Sequence, residues 1–431
     1  MNIVMLTNTF TPHIGGVARS VEAFTAEYRR RGHRVLVVAP EFPGMPQEEI
    51  DVVRIPAIQN FNGSDFSVVL PVSGLLTVLR VEFAPDIIHA HHPYLLGVTA
   101  LRVARYRSLP LVFTHHTLYE EYTHYVPGDA PKLRRFIIEA AIRYANLSDQ
   151  VFAPSESIMA LLHERGVATP ITVVATGVQT EHFAQGNGGR FRVATGIPED
   201  AFVVGHLGRL APEKNLEFLA EAVAAFLKTT SRAHFLVIGT GPSEMTIRQI
   251  FSREGLDARL HIAGILEHEQ LADALHAMNL FAFASKSETQ GMVLTEAMAA
   301  GLPVVALDAC GVREVVRDHN NGRLLHAESI KAFVSAMQWV AAQSAEHYRK
   351  LERAALDTAE AFSMSHSADK ALACYTNLRA GIAADRLEQE QEQEQEQHWH
   401  HLLDLIKVEW EILKGIGSAT DAALGADEET G

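Results

Sequence analysis

The chain has 431 residues, more than one hydrophobic core usually supports, so its length predicts two domains. Apolar residues make up 47% of it, which excludes a disordered or low-complexity protein. The formal net charge of −15 is concentrated in residues 385–431, where 13 acids face 3 bases. The rest is close to neutral, so we do not expect nucleic acid as a partner.

The sequence predicts neither a secretory leader nor a membrane span. Residues 1–10 begin directly as a strand, without a charged n-region or a cleavage site. The longest uncharged apolar stretch, 66–79, has 14 residues, whereas a membrane helix needs about 20. The two cysteines cannot form a disulfide framework and indicate a reducing compartment. We therefore expect a cytoplasmic protein.

Short strands rich in Val and Ile alternate with helical segments along most of the chain. In the first 180 residues, the predicted strands are NIVMLTN, RVLVVAP, IDVVRIP, DIIHAH, PLVFTHH, DQVFAPS and ITVVATG. A second series follows a break at QGNGG and comprises AFVVGHLGRL, HFLVIGTGP, LHIAGIL, LFAFAS and PVVALD. Such alternation predicts parallel sheets covered on both faces.

The predicted fold class is α/β, with two Rossmann-like doubly wound parallel-sheet domains facing across a cleft. The first domain is expected over residues 1–184 and the second over 185–365. A helix over 366–384 is expected to cross back to the first domain. Residues 385–431 form an acidic Gln/Glu-rich tail with a possible amphipathic helix, whose role the sequence does not indicate.

The segment KSETQGMVLTEAMAAGLPVVA (286–306) carries two glutamates, Glu288 and Glu296. A helix is predicted to begin near Met292, so the preceding backbone amides would form an anion site at its N-terminus. Small apolar residues surround the carboxylates, and a carboxylate in such surroundings needs a partner. A capped helix with surface carboxylates is the simpler alternative.

Two bases lie in the segment GRLAPEKN, which follows a predicted strand. Arg209 and Lys214 are suited to an anionic ligand, because arginine offers a planar fork of donors and lysine a point charge. An ordinary exposed turn is the alternative. No Asp-x-Asp pair occurs in the chain, and the histidines lack the spacing of a zinc site, so no metal is expected.

In the first half, Gly15 and Gly16 separate the first strand from the first helix, where glycine allows a ligand to approach the backbone. A tight turn is the alternative. Three clustered histidines, His89, His91 and His115, fit a structural role. His116 differs from them in that it ends a predicted strand.

These motifs resemble the retaining glycosyltransferases of family 4, which have the GT-B fold. The resemblance covers about residues 1–380 and is carried by the Glu-x7-Glu spacing, GLPVVALDACGVREVV, VGHLGRLAPEKNLEFLAEAV and FLVIGTGP. It implies a UDP-linked hexose donor bound chiefly on the second domain, and no cofactor. It also implies that the departing phosphate accepts the proton of the acceptor.

The resemblance further implies a role for each site residue. The expected catalytic residues are His116, near the reacting carbons, Arg209, Lys214 and Glu288, which holds the transferred sugar. The expected substrate-binding residues are Gly16, Glu296 on the ribose, and Gly291, Met292, Val293 and Leu294 on the diphosphate.

Within the family, HHTLYEEYTHYVPG (115–128) looks most like the bacterial diacylglycerol glycosyltransferases. An apolar stretch lies at 65–83, where the family meets its acceptor, and residues 131–144 form a basic amphipathic segment. We therefore expect a glycolipid product, made peripherally on the inner face of the cell membrane. The alternatives are a transferase for a soluble sugar, sugar phosphate or polysaccharide, a nucleotide-sugar epimerase, and a non-catalytic nucleotide-sugar-binding regulator. The oligomeric state is not indicated.

Overall fold

The structure is a computed structural model that describes residues 1–13, 15–58, 68–69, 83–118 and 131–390. The chain divides into two compact units. The first comprises residues 1–176 and 367–431, and the second comprises residues 177–366. The segment 65–83, most of 115–128 and the tail beyond residue 390 fall largely or wholly outside the described residues.

The first unit contains a parallel sheet of seven strands in the order β3-β2-β1-β6-β7-β8-β9. Its strands are β1 (Asn2–Leu6), β2 (Arg34–Pro40), β3 (Val52–Ile55), β6 (Ile87–Ala90), β7 (Leu111–Thr114), β8 (Gln150–Ala153) and β9 (Ile171–Val173). A separate antiparallel pair comprises β4 (Ala57–Ile58) and β5 (Val68–Val69). All seven predicted strands are confirmed, and the five between the two edge strands are short apolar runs that are largely buried.

The helices of the first unit connect these strands. They are α1 (Gly16–Arg30), α2 (Leu96–Arg107), α3 (Pro131–Asn146) and α4 (Glu156–Glu164). α1 places Val21, Phe24 and Tyr28 in the core at helical spacing. Since the strands are parallel, their carboxyl ends meet at one edge of the sheet, where ligand sites of such folds lie.

The second unit contains a parallel sheet of six strands in the order β12-β11-β10-β13-β14-β15. Its strands are β10 (Phe202–Leu207), β11 (Ala233–Ile238), β12 (Leu260–Ile262), β13 (Leu280–Phe283), β14 (Val304–Leu307) and β15 (Gly322–Leu325). Its helices are α5 (Thr180–Phe183), α6 (Gly188–Thr195), α7 (Leu216–Thr229), α8 (Glu244–Arg253), α9 (His268–His276), α10 (Met292–Ala299), α11 (Ile330–Ala341) and α12 (Ala345–Ala361). The edge strand β15 was not predicted, since GRLL has only two apolar residues.

The last described helix, α13 (Met364–Glu390), is longer at both ends than the predicted segment 366–384. It extends into the Gln/Glu run because these residues are good helix formers. Tyr375 of this helix is fully buried in the first unit, with its hydroxyl 2.7 Å from Nδ1 of His89. No helix in the described part of the chain is long and apolar enough to cross a membrane.

Candidate functional site

Two loops of the second unit carry most of the predicted site residues. One loop follows β10 and contains a single 3-10 turn, Pro212–Lys214. The other follows β13 and leads into α10. Strands β10 and β13 are neighbours in the sheet, so the two loops leave the same edge side by side. A hydrogen bond of 3.2 Å from the Ser287 hydroxyl to the Glu213 carbonyl joins them directly.

The central contact between these loops is an ion pair. Nζ of Lys214 donates to Oε1 of Glu288 at 2.5 Å. The two side chains are only 18% and 14% exposed, so the pair is largely removed from water. The sequence predicted separate tasks for the two residues, one on the diphosphate and one on the sugar. The structure brings the two side chains into direct contact.

Arg209 also has a carboxylate partner. Its guanidinium binds Glu213, four residues later in the same loop. The Glu213 side chain is 8% exposed and the Arg209 side chain 46% exposed, so the cation is the more accessible partner. Glu213 was not predicted as a site residue, and because residues 209–213 are not an α-helix, their spacing gave no signal for this pair.

The N-terminus of α10 has the predicted position. Gly291 precedes the helix in a left-handed conformation with φ of 74°, which favours glycine. Met292 and Val293 are partly exposed, whereas the Leu294 side chain is fully buried. The Leu294 amide donates to the Gly291 carbonyl at 2.9 Å, so it is already satisfied within the first turn. Of the predicted anion site at 291–294, the backbone amides of the first three residues are therefore the ones suited to bind an anion.

Glu296 lies inside α10 and is only 9% exposed. It is the fifth residue of the helix. Its neighbours Leu294, Ala297 and Met298 are fully buried in the core of the second unit, so the carboxylate lies against that core. A carboxylate kept in such a position is unusual for a purely structural helix.

A further network beside this site was missed by sequence reasoning. Glu328 accepts a hydrogen bond of 2.8 Å from the Asn215 amide and pairs with Lys286. These two contacts lower the pKa of the Glu328 carboxyl. Asn215 also donates to the Ala284 carbonyl at 3.3 Å. The network connects the β10 and β13 loops, so it holds the positions of both.

His206 of β10 is buried beside these loops. Burial lowers its pKa to about 4, with opposing smaller contributions from Lys214 and Glu288. Its ring stacks on Phe281 and Phe283. The imidazole is therefore neutral at pH 7 and does not add to the cations of the site.

The remaining predicted residues lie in the first unit. Gly16 is the first residue of α1, and a Cβ atom built on it would meet no atom of the described residues within 4 Å. His116 follows β7 and is partly buried. Its Nε2 lies 2.9 Å from Nδ1 of His91, which follows the neighbouring strand β6. Nδ1 of His92 accepts a hydrogen bond of 3.1 Å from the Asn8 amide after β1.

Metal-ligating residues do not cluster in the described part of the chain. No group of three or more His, Cys, Asp or Glu side chains there has the geometry to hold a metal ion. Burial lowers the pKa of His92 to about 3 and that of His115 to about 4, so these rings are neutral at pH 7.

Comparison with known families assigns both halves of the chain. Residues 14–182 match the family described as Glycosyltransferase Family 4. Residues 189–358 match the family described as Glycosyl transferases group 1. The two matches together include every predicted site residue.

Characterised relatives cover most of the chain. It is 27% identical over 335 residues to an alpha-monoglucosyldiacylglycerol synthase of Streptococcus pneumoniae, which covers 76% of each chain. It is 29% identical to a GDP-mannose-dependent alpha-mannosyltransferase of Mycobacterium tuberculosis, covering 75% of this chain and 84% of that one. It is 30% identical to a D-inositol 3-phosphate glycosyltransferase of Stackebrandtia nassauensis, covering 69% and 70%.

Solved structures show the same fold. The Anabaena protein HepE, in complex with UDP and glucose, aligns with a TM-score of 0.68. The alignment covers 87% of this chain and 99% of HepE at 21% identity. The predicted pair of parallel-sheet α/β domains of GT-B type is thereby confirmed.

Proposed function

The chain belongs to glycosyltransferase family 4, and from this premise we propose that it transfers a hexose from a UDP-sugar to a lipid such as diacylglycerol, with retention at the anomeric carbon. The contact between Lys214 and Glu288 carries the proposal. It places a cation suited to a diphosphate against a carboxylate suited to sugar hydroxyls, in the loop before a helix N-terminus.

We assign the donor contacts as follows. Glu296 binds the ribose hydroxyls, and Glu288 binds hydroxyls of the transferred sugar. The amides at the start of α10 receive the diphosphate. Arg209 and Lys214 stabilise the charge that develops on it as the sugar leaves. In the first unit, Gly16 lets the donor approach the start of α1, and His116 contacts the reacting sugar.

Both cations are paired with carboxylates. The diphosphate must therefore compete with Glu213 for Arg209 and with Glu288 for Lys214. A dianion with several oxygens offers more acceptors than one carboxylate, so the exchange is favourable. Glu288, once released from Lys214, is available for the sugar hydroxyls.

The proposed chemistry needs no protein nucleophile. The bond from the anomeric carbon to the phosphate oxygen breaks, and the acceptor hydroxyl oxygen forms the new bond from the same face. The proton of that hydroxyl passes to the departing phosphate oxygen. The role of the protein is to position both substrates and to stabilise the diphosphate.

The acceptor assignment is supported by the relative from Streptococcus pneumoniae, which is named for a glucosyldiacylglycerol product. The relative from Mycobacterium tuberculosis uses GDP-mannose, so the nucleotide must be tested as well. The purified protein should be offered UDP-glucose, UDP-galactose and GDP-mannose, each with diacylglycerol vesicles or with soluble sugars and sugar phosphates. Mass spectrometry identifies the product, and NMR gives its anomeric configuration.

We expect a hexosyl-diacylglycerol from a UDP-sugar, with the α configuration of the donor preserved. Transfer only to soluble acceptors would replace the lipid assignment with the soluble-transferase alternative. Binding of a nucleotide sugar without transfer to any acceptor would favour the non-catalytic regulator.

Helix α3 is the proposed membrane contact. Arg134 and Arg135 are exposed, and Phe136, Ile137 and Ile138 beside them are partly exposed. The C-terminal half of the helix packs into the first unit through Ile142 and Tyr144, which are buried. Such a helix can place bases among lipid headgroups and half-buried apolar residues at their boundary. Arg143 contributes less, because it pairs with Glu139 at 2.8 Å.

Liposome flotation tests this contact. Each base near an anionic surface contributes about 1 kcal/mol, so Arg134→Gln with Arg135→Gln should markedly reduce flotation with anionic vesicles at low salt. Arg143→Gln should reduce it less. Arg232→Gln with Arg248→Gln removes the same net charge from exposed positions of the second unit, where each arginine pairs with a carboxylate, and serves as the control for net charge. Equal losses in the α3 double variant and this control would contradict a specific role for α3.

A further inference from the structure

Two histidines at the carboxyl edge of the first sheet form a direct pair. His91 follows β6 and His116 follows β7, two parallel neighbours. Nδ1 of His91 lies 2.9 Å from Nε2 of His116, and the rings stack with centroids 5.2 Å apart at 26°. A hydrogen bond between two imidazole nitrogens requires one ring to donate and the other to accept.

Both rings are neutral at pH 7. Burial lowers the pKa of each well below its ordinary value. Other histidines face them among the residues that the structure describes: His89 and His92 beside His91, and His92 and His115 beside His116. Each would repel a proton on the pair. Each ring of the pair therefore carries a single N–H, on either Nδ1 or Nε2.

The second nitrogen of His91 decides this. Nε2 of His91 is buried and has no hydrogen-bond partner among the residues that the structure describes. If His116 donated through Nε2, His91 would carry its proton on that nitrogen, as a buried N–H without an acceptor. Buried donors without acceptors are rarer than buried acceptors without donors. The favourable arrangement therefore has His91 donating through Nδ1–H to Nε2 of His116.

We infer that His91 is a positioning residue that fixes His116 in the tautomer with its proton on Nδ1. The inference rests on the proposed function in that His116 contacts the reacting sugar. In this tautomer His116 has no ring lone pair left to accept a proton. It acts on the substrate as a hydrogen-bond donor and not as a general base. The wrong tautomer would present a lone pair where a donor is needed, and turnover would fall.

The tautomer can be read directly by NMR of protein labelled with ¹⁵N-histidine, without any substrate. The chain has 22 histidines, so the His116 signals are assigned by their loss in His116→Asn. In the wild type we expect both His116 and His91 to carry their proton on Nδ1. In His91→Leu the His116 signals should shift towards a mixture of tautomers. A wild-type His116 protonated on Nε2 would overturn the inference.

Turnover provides the second readout. Asn and Leu have nearly the same shape, but only the Asn amide can place an N–H where Nδ1 of His91 lies. We expect His91→Leu to lower kcat by about 10- to 100-fold with little change in KM for the nucleotide sugar, and His91→Asn to restore most of it. Equal kcat in the two variants would overturn the inference. If His91→Leu fails to fold, His91→Gln takes its place, because it keeps a polar side chain. Its amide reaches the position of Nε2 and not that of Nδ1, so we expect it to lower kcat as His91→Leu would.

The second unit offers a matched control. His234 and His261 form the same kind of pair, with Nδ1 of His234 3.0 Å from Nε2 of His261 and ring centroids 5.2 Å apart. His234 lies near the N-terminal end of β11, away from the carboxyl edge. His234→Leu should leave kcat unchanged. The two proposals can fail separately. If the NMR result is as expected but no nucleotide sugar is turned over, the proposed function is wrong, while the inference that His91 fixes the tautomer of His116 stands.

Discussion

Lys214 and Glu288 are 74 positions apart in the chain but form one largely buried ion pair. At the scale of single residues, this pair performs two tasks. It holds the Lys214 side chain in a fixed position, and it gives Glu288 a counter-ion in a place where an isolated carboxylate would be costly. Stability and turnover therefore depend on these two residues in different ways, and substitutions can separate the two effects.

Lys214→Met should lower both stability and turnover. It leaves the Glu288 carboxylate mostly buried without its cation, so the free energy of unfolding should fall by about 1–3 kcal/mol. Adding Glu288→Gln removes the stranded charge and should restore most of that stability. Turnover should be about 100- to 1000-fold below wild type in both variants, because the diphosphate has lost a fixed cation. Urea unfolding and initial rates measure the two quantities.

The ion pair between Lys228 and Glu254 in the same unit provides the control, since its lysine is 52% exposed. Lys228→Met should change stability by less than about 1 kcal/mol and leave turnover unchanged. If the double variant Lys214→Met with Glu288→Gln is no more stable than Lys214→Met alone, the buried Glu288 carboxylate does not need Lys214 as its counter-ion.

At the scale of secondary-structure elements, the start of α10 is the feature on which the proposed donor site depends. Gly291 has a φ of 74°, and a Cβ atom built on it would lie 2.9 Å from Cδ1 of Leu294. The close turn keeps the loop against the helix, and the anion site depends on that geometry. A side chain at this position would disturb both the backbone and the first turn.

Gly291→Ala should lower stability and weaken UDP binding together. The left-handed conformation costs an L-residue about 1 kcal/mol, and the contact with Leu294 adds to it. Gly196, at the C-terminal end of α6, has a similar φ of 72° but open space around a built Cβ atom. Gly196→Ala should therefore show the conformational cost alone and bind UDP normally. Thermal unfolding and calorimetric titration with UDP test this, and equal UDP affinity in both variants would contradict an anion site at α10.

At the scale of the whole molecule, buried neutral histidines make folding sensitive to acid. Burial lowers the pKa of His89 and His92 to about 3 and that of His115 to about 4, from 6.5. The unfolded chain binds protons near pH 6.5 while the folded chain does not. The stability contributed by these rings is therefore complete above pH 6.5 and is lost as the pH falls below it.

Stability should consequently fall between pH 7.5 and pH 5.5. Each such histidine can lower the free energy of unfolding by up to about 1.4 kcal/mol per pH unit below 6.5. Urea unfolding at a series of pH values measures the slope. His206 is a further buried neutral ring, with its pKa lowered to about 4 by burial. His206→Phe replaces it with a group that does not titrate and can still stack on Phe281 and Phe283, so the slope should decrease by the contribution of about one proton. An unchanged slope in this variant would contradict the assignment of His206 as neutral in the folded protein.

The sequence by itself determined the two parallel sheets, because short Val- and Ile-rich runs alternating with helical segments have few other ways to bury both faces. It also located the loops after β10 and β13, because local motifs carry their chemistry. The short edge strand β15 was not predicted, since GRLL has too few apolar residues to indicate a strand. Only the tertiary structure decided which side chains meet. The sheet order makes β10 a neighbour of β13 and β6 a neighbour of β7. These neighbours bring Lys214 to Glu288 and His91 to His116, and no periodicity along the chain encodes a contact between loops of strands so far apart in sequence.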